Sequence, residues 1–375
     1  MKFLHTADLH LGRRLNDIPL LQDQRKVLAA IVDIAKRKKV DAVLLSGDIY
    51  DRAAPSAECY VVLSDFVTAL SSSHIAVIAI SGNHDSNERV GYLSALLKHS
   101  GVYFSDVFDG SIGTVALKDE YGEVLFHLLP FVRPSDVRLY YPDERIESYQ
   151  DAIKVLLSHH PIDKGMRNVI LSHQFVAGAQ ICDSEILSLG GSEAVEASLY
   201  RDYDYVALGH IHRSQKMTEE KIRYAGSIMK YSLSEEKHVK SVTLVELREK
   251  GKTSIETVAL PIVHDVRTIR GHFKDIMAMP YSEDFVHIVL LDEDVVFDAR
   301  LSLGTVFPNM IRFSIENSKT TEEVDIQSLE SIEKKSLPDL FEAFYSMQFG
   351  GQKPDEKRMQ ALRNVLKGLE EENKE

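Results

Sequence analysis

The sequence predicts an α/β protein that continues into a small α+β domain and ends in a helical hairpin. Three observations predict it. Up to about residue 260, short apolar runs alternate with longer amphipathic stretches, the pattern of strands feeding helices in a layered α/β structure. After Pro261 the charge and the pattern change. A polar, aperiodic stretch at 317–323 then precedes two amphipathic segments.

The apolar runs Phe3–Leu4, Ala42–Leu45, Ala76–Ile80, Val169–Leu171 and Tyr205–Leu208 are strand candidates. Leu20–Lys38 and Ala57–Leu70 between the first three carry apolar residues at three- and four-residue spacing and predict helices. Gly113–Leu117, Val124–Leu129, Val239–Leu247 and Ser254–Leu260 predict further strands. Residues 1–262 form the expected main domain. A small domain follows at 264–318, or to about 335 in a wider reading, with strands at Asp265–Ile269, Phe285–Leu291 and Met310–Ile315. Within 336–375, one predicted helix carries Leu337, Leu340, Phe341, Phe344 and Tyr345, and a second carries Met359, Leu362, Val365, Leu366 and Leu369. They read either as a hairpin packed on its own domain or as a helix-loop-helix that docks on a partner.

Of 375 residues, 44% are apolar and 27% charged, which excludes a disordered chain. Cys59 and Cys182 are the only cysteines, too few for a disulfide scaffold and suited to a reducing compartment. Neither a signal core nor a membrane-length apolar run occurs, so the expectation is a cytosolic protein with no membrane contact. The 57 acidic and 44 basic side chains give a net charge of -13. That balance excludes a polycation that coats DNA, and any nucleic-acid contact must be local. Residues 264–375 carry 14 basic and 22 acidic side chains, so -8 of the net charge of -13 lies outside the main domain.

Five polar clusters begin where the five apolar runs stop: Asp8-Leu9-His10, Gly47-Asp48-Ile49-Tyr50-Asp51, Gly82-Asn83-His84-Asp85, Ser172-His173 and Gly209-His210-Ile211-His212. Side chains that follow the carboxyl ends of neighbouring strands share one rim of a sheet, so the clusters are expected to converge. The inventory is carboxylate, imidazole and carboxamide, without thiolate. Such donors suit Mn²⁺ or Fe²⁺ and tolerate Zn²⁺ or Co²⁺. Seven candidate ligands exceed the needs of one ion and match two ions that share a carboxylate, the arrangement that clamps attacking and leaving oxygens in phosphoryl displacement. Glycine precedes three clusters, where backbone is expected to pass close to the metal. The other histidines, His5 and the His159-His160 pair among them, read as structural.

The set resembles the calcineurin-like metallophosphoesterases. Its fuller wording, Phe3-Leu4-His5-Thr6-Ala7-Asp8-Leu9-His10-Leu11-Gly12, Gly47 to Pro55 and Ser81 to Ser86, is similar to the nuclease subunits of the SbcCD and Mre type. The resemblance implies a four-layer α/β/β/α sandwich with a capping domain. It implies two divalent ions, Mn²⁺ foremost, one held by Asp8, His10, Asp48 and His212 and the other by Asp48, Asn83, His173 and His210. Asp48 would bridge, and His84, positioned by Asp85, would face the scissile phosphate. Asp51 is expected to orient a ligating histidine from behind. Ala225 stands where the family has proline in a Pro-Gly-Ser turn, which leaves the role of Ser227 open.

Metal and fold alone do not select a substrate. Arg13, Arg14, Arg52 and Arg89 follow the first three clusters and are candidate phosphate contacts. The family implies a Mn-dependent nuclease, 3′ to 5′ exonucleolytic on duplex ends and endonucleolytic on single strands and hairpins, in DNA repair, replication and recombination. It also implies a homodimer, with a seam drawn from Tyr60, Val61, Leu63, Phe66, Tyr92, Leu96 and Leu97 on helices Ala57–Leu70 and Glu88–Lys98, and an SbcC-type coiled-coil ATPase bound by the terminal helices. The rival readings are a phosphodiesterase or phosphatase acting on nucleotides or phosphoproteins, and a DNA-end-binding scaffold.

Overall fold

The computed structural model describes residues 1–92, 94–185, 193–317, 337–348 and 353–372. The chain divides into two compact units, Met1–Val266 and Arg267–Glu375. In chain order the first unit runs β1 (Lys2–Thr6), the hairpin β2 (Arg14–Leu15) and β3 (Ile18–Pro19), α1 (Leu21–Lys38), β4 (Ala42–Ser46), α2 (Ala57–Ser71) and β5 (Ala76–Ile80). The short helices α3 (Asn87–Val90) and α4 (Ser94–Leu97) lead to β6 (Val102–Phe104). Then come β7 (Gly113–Asp119), β8 (Gly122–Leu129), α5 (Pro134–Arg138), α6 (Tyr149–Ser158), β9 (Arg167–Ser172) and β10 (Tyr205–Leu208). The strands β11 (Gln215–Lys216), β12 (Ile222–Tyr224), β13 (Ser241–Leu247) and β14 (Thr253–Ala259) complete it.

Two six-stranded sheets result, in the orders β14-β13-β1-β4-β5-β6 and β11-β12-β10-β9-β8-β7. Strands β1, β4 and β5 are mutually parallel, as are β8, β9 and β10, so the carboxyl ends within each set share an edge. Side-chain alternation sorts the apolar residues between layers. Phe3, Leu44, Ile78 and Ile80 of the first sheet meet Phe126, Leu128, Leu171 and Tyr205 of the second in one buried core. Phe3 packs edge-on against both Phe126 and Tyr205, with centroids 5.7 and 5.6 Å apart. The other face of the second sheet packs Ile170, Val206 and Leu208 against Ala152, Ile153 and Leu156 of α6. On the first sheet α2 packs beside α1 and against β5. The layers are therefore α/β/β/α, as expected.

Helix α1 begins one residue after the expected start and ends in left-handed Lys39, whose N–H reaches the carbonyls of Ala35 and Lys36. The expected helix Glu88–Lys98 is not continuous. It is divided between α3 and α4, and α3 ends at Gly91, a residue that adds little to helix stability. The expected dimer seam is divided as well: Leu63 and Phe66 are buried within the unit, whereas Val61, Tyr92 and Leu96 are exposed. Cys59, Cys182 and His5 are buried, and His5 Nδ1 lies 2.9 Å from the Tyr205 hydroxyl.

The second unit carries a sheet in the order β15 (Val266–Gly271), β16 (Phe285–Leu290) and β17 (Met310–Ile315). Helices α7 (Phe273–Met277) and α8 (Ala299–Leu303) contribute Ile276, Ala299 and Leu303 to a core with Ile269, Val286, Ile288, Leu290 and Phe307. Helices α9 (Leu337–Gln348) and α10 (Glu356–Glu372) form a pair, linked by Lys353 to Glu342 at 2.7 Å and by the Arg358 guanidinium over Tyr345. Among the described side chains of these two helices none is fully buried. Of the expected linker at 317–323, residues 318–323 lie outside the described residues, as does the wider boundary near 335. No helix among the described residues is long and apolar enough to cross a membrane.

Candidate metal centre

The five clusters meet at the shared carboxyl edges. Asp8 and His10 follow β1, Asp48 follows β4, Asn83 and His84 follow β5, His173 follows β9, and His210 and His212 follow β10. Their backbone is unusual. Asp8, His10, Asp48 and His210 have φ of 52°, 43°, 48° and 98°, in the left-handed region that side chains other than glycine rarely adopt. Each such residue costs about 1–3 kcal/mol, and a concentration of them marks a site that the surrounding fold holds in place.

The loops brace one another. His10 N donates to the Asp48 carbonyl at 2.9 Å, Asp8 N to the Gly47 carbonyl at 3.1 Å, and His210 N to Asp8 Oδ1 at 2.9 Å. Asp48 Oδ2 lies 3.5 Å from His10 Nε2 and 3.4 Å from His173 Nε2, a central position between two groups of donors. One group is Asp8, His10 and His212; the second is Asp48, His173 and His210; His10 and Asp48 also form a third with His84. Asn83 Oδ1 completes the second, 3.1 Å from His173 Nε2 and 3.0 Å from His210 Nδ1. His10 and His212 approach with Nε2 atoms 3.1 Å apart.

Burial sets the electrostatics. It holds the Asp8 carboxyl well above the usual range, and the neighbouring Asp48 charge adds to that. At Asp48 burial acts the same way but is outweighed by His173 and His10, so this carboxyl stays well below the range. Burial would lower His173, yet the Asp48 and Asp8 charges push it up to about 9. His210 and His212 are brought down to about 3, chiefly by burial. The lowered His210 and His212 imidazoles beside the adjacent buried Asp8 and Asp48 carboxyls offer donors suited to cations. Asp8 Oδ2 is buried without a hydrogen-bond partner, which is the open donor an ion would take. The residues present therefore fit two divalent ions.

The three glycines serve the donors rather than the ions. A Cβ on Gly47 would lie 2.2 Å from His173 Nδ1, one on Gly82 2.1 Å from Asp48 Oδ1, and one on Gly209 1.9 Å from the Ser46 carbonyl oxygen. That same carbonyl accepts from His173 Nδ1 at 2.7 Å, which directs His173 Nε2 toward Asp48.

His84 stands beside the donors. Its Nδ1–H donates to the Asp51 carbonyl at 3.0 Å and its backbone N–H to Asp48 Oδ1 at 3.0 Å, so Nε2 is left as its second ring nitrogen. The expectation that Asp85 positions this ring needs correction. The Asp85 carboxylate accepts from the backbone N–H groups of Ile49, Tyr50 and Gly82 at 3.0, 2.9 and 2.8 Å, and so ties the second cluster to the third. Backbone donors are closer to it than any imidazole because both loops turn around it. Asp51 Oδ1 lies 3.6 Å from His10 Nδ1 and 3.1 Å from Arg13 Nη1.

The four arginines are not equivalent. Arg13 is held by Asp51 and lies over the Tyr231 ring. Arg14 bonds the Asp17 carbonyl within the β2–β3 hairpin. Arg52, with 77% of its side chain exposed, and Arg89, which reaches the Tyr60 hydroxyl at 3.3 Å, stand at the surface.

Sequence reasoning missed the support behind His212. Ser184 Oγ lies 2.9 Å from His212 Nδ1 and donates to Glu235 Oε1 at 2.6 Å. Glu235 is fully buried and ion-paired with Lys240, which donates to the His212 carbonyl at 2.9 Å and to Ser227 Oγ at 2.7 Å. Ser227 in turn donates to the Met229 carbonyl, which gives the residue left open by its altered turn a place in this network. Nothing in the spacing announces it, because Ser184 lies 51 residues before Glu235 and only the fold brings it to the Glu235–Lys240 pair.

The sequence matches the family model of the calcineurin-like phosphoesterases over residues 1–214, and the type 5 capsule protein repressor C-terminal domain over 263–349. It is 30% identical over 343 residues to the D component of the nuclease SbcCD from Staphylococcus saprophyticus, covering 88% of this chain and 90% of that protein. It is also 30% identical over 338 residues to the protein of the same name from Staphylococcus epidermidis, covering 87% and 89%. Among solved structures, a dimetal phosphatase from Danio rerio aligns with a TM-score of 0.45 at 15% identity, covering 68% of this chain and 95% of that one.

Proposed function

We infer the function from one premise: the chain belongs to the calcineurin-like phosphoesterases and, within them, to the family formed by the D component of the nuclease SbcCD. It is a metal-dependent phosphodiester hydrolase and the nuclease component of such a complex. We propose that its ions are Mn²⁺, and that it degrades duplex ends 3′ to 5′ and nicks single strands and hairpins in repair, replication and recombination, as a cytoplasmic homodimer. An SbcC-type ATPase would bind α9 and α10, whose described apolar side chains are incompletely covered, and its ATP state would control access of DNA. Residues 1–262 would be the nuclease domain, 264–318 the cap and 336–375 the partner-binding segment.

The observation that carries the reading is the central position of Asp48 Oδ2 between His10 and His173. Asp8, His10, Asp48 and His212 would hold one ion, and Asp48, Asn83, His173 and His210 the other. Bound there, the two ions would supply Lewis acidity toward the phosphoryl oxygens and an acidified water for in-line attack. The chain's own residues do the rest. Asp51 orients His10, the Ser46 carbonyl orients His173, and Ser184 with Glu235 orients His212. His84, fixed through Nδ1 by the Asp51 carbonyl, presents Nε2 to the phosphate, where a protonated ring stabilises the developing charge or protonates the leaving 3′ oxygen. Arg52 and Arg89 contact flanking phosphates.

The test is turnover of labelled hairpin DNA beside a chromogenic phosphodiester and a monoester in Mn²⁺, with His84→Gln as control. The expected result is cleavage of DNA, reduced about 10²–10⁴-fold in the variant while bound metal is retained. Cleavage of the small esters alone, or binding of DNA without cleavage, would overturn the nuclease reading.

A further inference from the structure

The loop after β8 brings an aromatic group to the metal rim that the five clusters do not include. Phe131 follows Leu129 and Pro130, and β8 pairs in parallel with β9, so Phe131 emerges beside His173. Its backbone N–H donates to the Ser81 carbonyl at 3.0 Å, which fixes the loop to the cluster after β5. The ring lies 26° from parallel to His210 with centroids 6.5 Å apart, and edge-on to His173 at 6.4 Å. It is only half-buried. Two further groups extend it. The Arg133 guanidinium lies over the Phe131 ring at 5.9 Å, and the Tyr149 ring packs 6.1 Å away. Arg133 is exposed.

This composition differs from the opposite side of the centre. The loops after β1, β4 and β5 contribute guanidinium groups, which suit phosphate. The loop after β8 contributes an aromatic face capped by a cation, which suits a nucleobase, because every base has a π-face and stacks without regard to sequence. Resting on the nuclease reading, we propose that Phe131, with Arg133 and Tyr149, is the platform on which the base next to the scissile phosphodiester stacks. Phosphates are then held on the first-sheet side and the base on the second-sheet side, which aligns the ester bond across the centre. Phe131 would contribute binding and specificity, while the chemistry stays with the groups named above.

The experiment compares metal-free binding of fluorescein-labelled oligothymidine and of an abasic oligomer of equal length, by anisotropy in EDTA, for the unmodified protein, Phe131→Ala, Phe131→Trp and Arg133→Ala. Turnover of thymidine 5′-p-nitrophenyl phosphate and methyl p-nitrophenyl phosphate in Mn²⁺ is measured in parallel. The unmodified protein is expected to prefer the base-bearing oligomer by about tenfold or more. Phe131→Ala abolishes that preference and lowers the ratio of the two turnover rates in the same sense, Phe131→Trp restores both, and Arg133→Ala weakens binding of both oligomers. A preference that survives Phe131→Ala overturns the platform alone. Hydrolysis of the methyl ester by a protein that binds neither oligomer overturns the nuclease reading, and the platform with it.

Discussion

Gly82 and Asp48 share a space that admits no methyl group: a Cβ on Gly82 would stand 2.1 Å from Asp48 Oδ1 and 2.4 Å from the Asp48 backbone nitrogen. The contact joins two loops that leave adjacent parallel strands, β4 and β5, and it sets where the central carboxylate can lie. Gly82→Ala is therefore expected to displace Asp48, lowering Mn²⁺ uptake and phosphodiester turnover together. Metal content after gel filtration and turnover of a chromogenic diester measure both. Full metal occupancy in the variant would show that the loop yields and that the contact is not limiting.

Asp8 is the carboxyl that burial, with the Asp48 charge beside it, holds well above the ordinary range. Replacing it by Asn removes the repulsion, so metal-free Asp8→Asn is expected to melt at or above the temperature of the metal-free parent. Saturating Mn²⁺ raises the parent by RT ln(1 + [L]/Kd), about 2.7 kcal/mol at a hundredfold excess over Kd. The variant should lose most of that gain. Thermal melts with and without EDTA decide it, and an equal metal-induced gain in both proteins would contradict the place given to Asp8.

Glu235 is buried with Lys240, and its carboxyl is held far below the ordinary range, because Lys240 and His212 outweigh the cost of burial. Removing one member leaves the other charge uncompensated, at a cost of about 3–5 kcal/mol. Glu235→Gln is expected to lose stability of that order, and Glu235→Gln/Lys240→Met to regain most of it. Urea denaturation of the single and double variants tests this; additive losses would refute the coupling.

His127 lies outside the centre, with His160 Nε2 at 2.8 Å, Asn168 Oδ1 at 3.0 Å and Thr114 Oγ1 at 3.4 Å. Burial lowers it from 6.5 to about 4. The folded ring therefore stays neutral while the unfolded chain takes up a proton, so this contribution is complete above pH 6.5 and is lost as the pH falls toward 4. The loss amounts to at most about 3 kcal/mol. His127→Gln should flatten the acid limb of a stability-against-pH curve by that increment, and superimposable limbs would sink the assignment.

Arg13 is largely buried against Asp51 at 3.1 Å, whereas Arg52, 3.8 Å from the same carboxylate, and Arg89 are exposed. Arg52→Ala and Arg89→Ala should each reduce the slope of log binding constant against log salt by about 1 and leave melting unchanged. Arg13→Ala should instead lower the melting temperature. Oligonucleotide binding over a salt series, with parallel melts, separates the two kinds. Equal salt slopes across all three variants would argue against the division.

The sequence by itself determined the layered fold and the convergence of the five polar clusters on one rim. Apolar runs of strand length are local patterns, and a polar residue placed after each run must lie on the rim where parallel strands end, so Asp8, Asp48, His173 and His210 were legible from their positions in the chain. The discontinuity at Gly91 was harder to read, since a single glycine weakens a helix without forbidding it. Only the tertiary structure decided which groups orient which. Asp85 serves three backbone N–H groups instead of His84, and Glu235 reaches His212 through Ser184 across loops far apart in the chain. Phe131 enters the rim because β8 lies beside β9. Such contacts depend on sheet order and on side-chain direction within the fold. Neither is encoded by spacing along the sequence, because a hydrogen bond is chosen by distance and angle after packing has placed its partners.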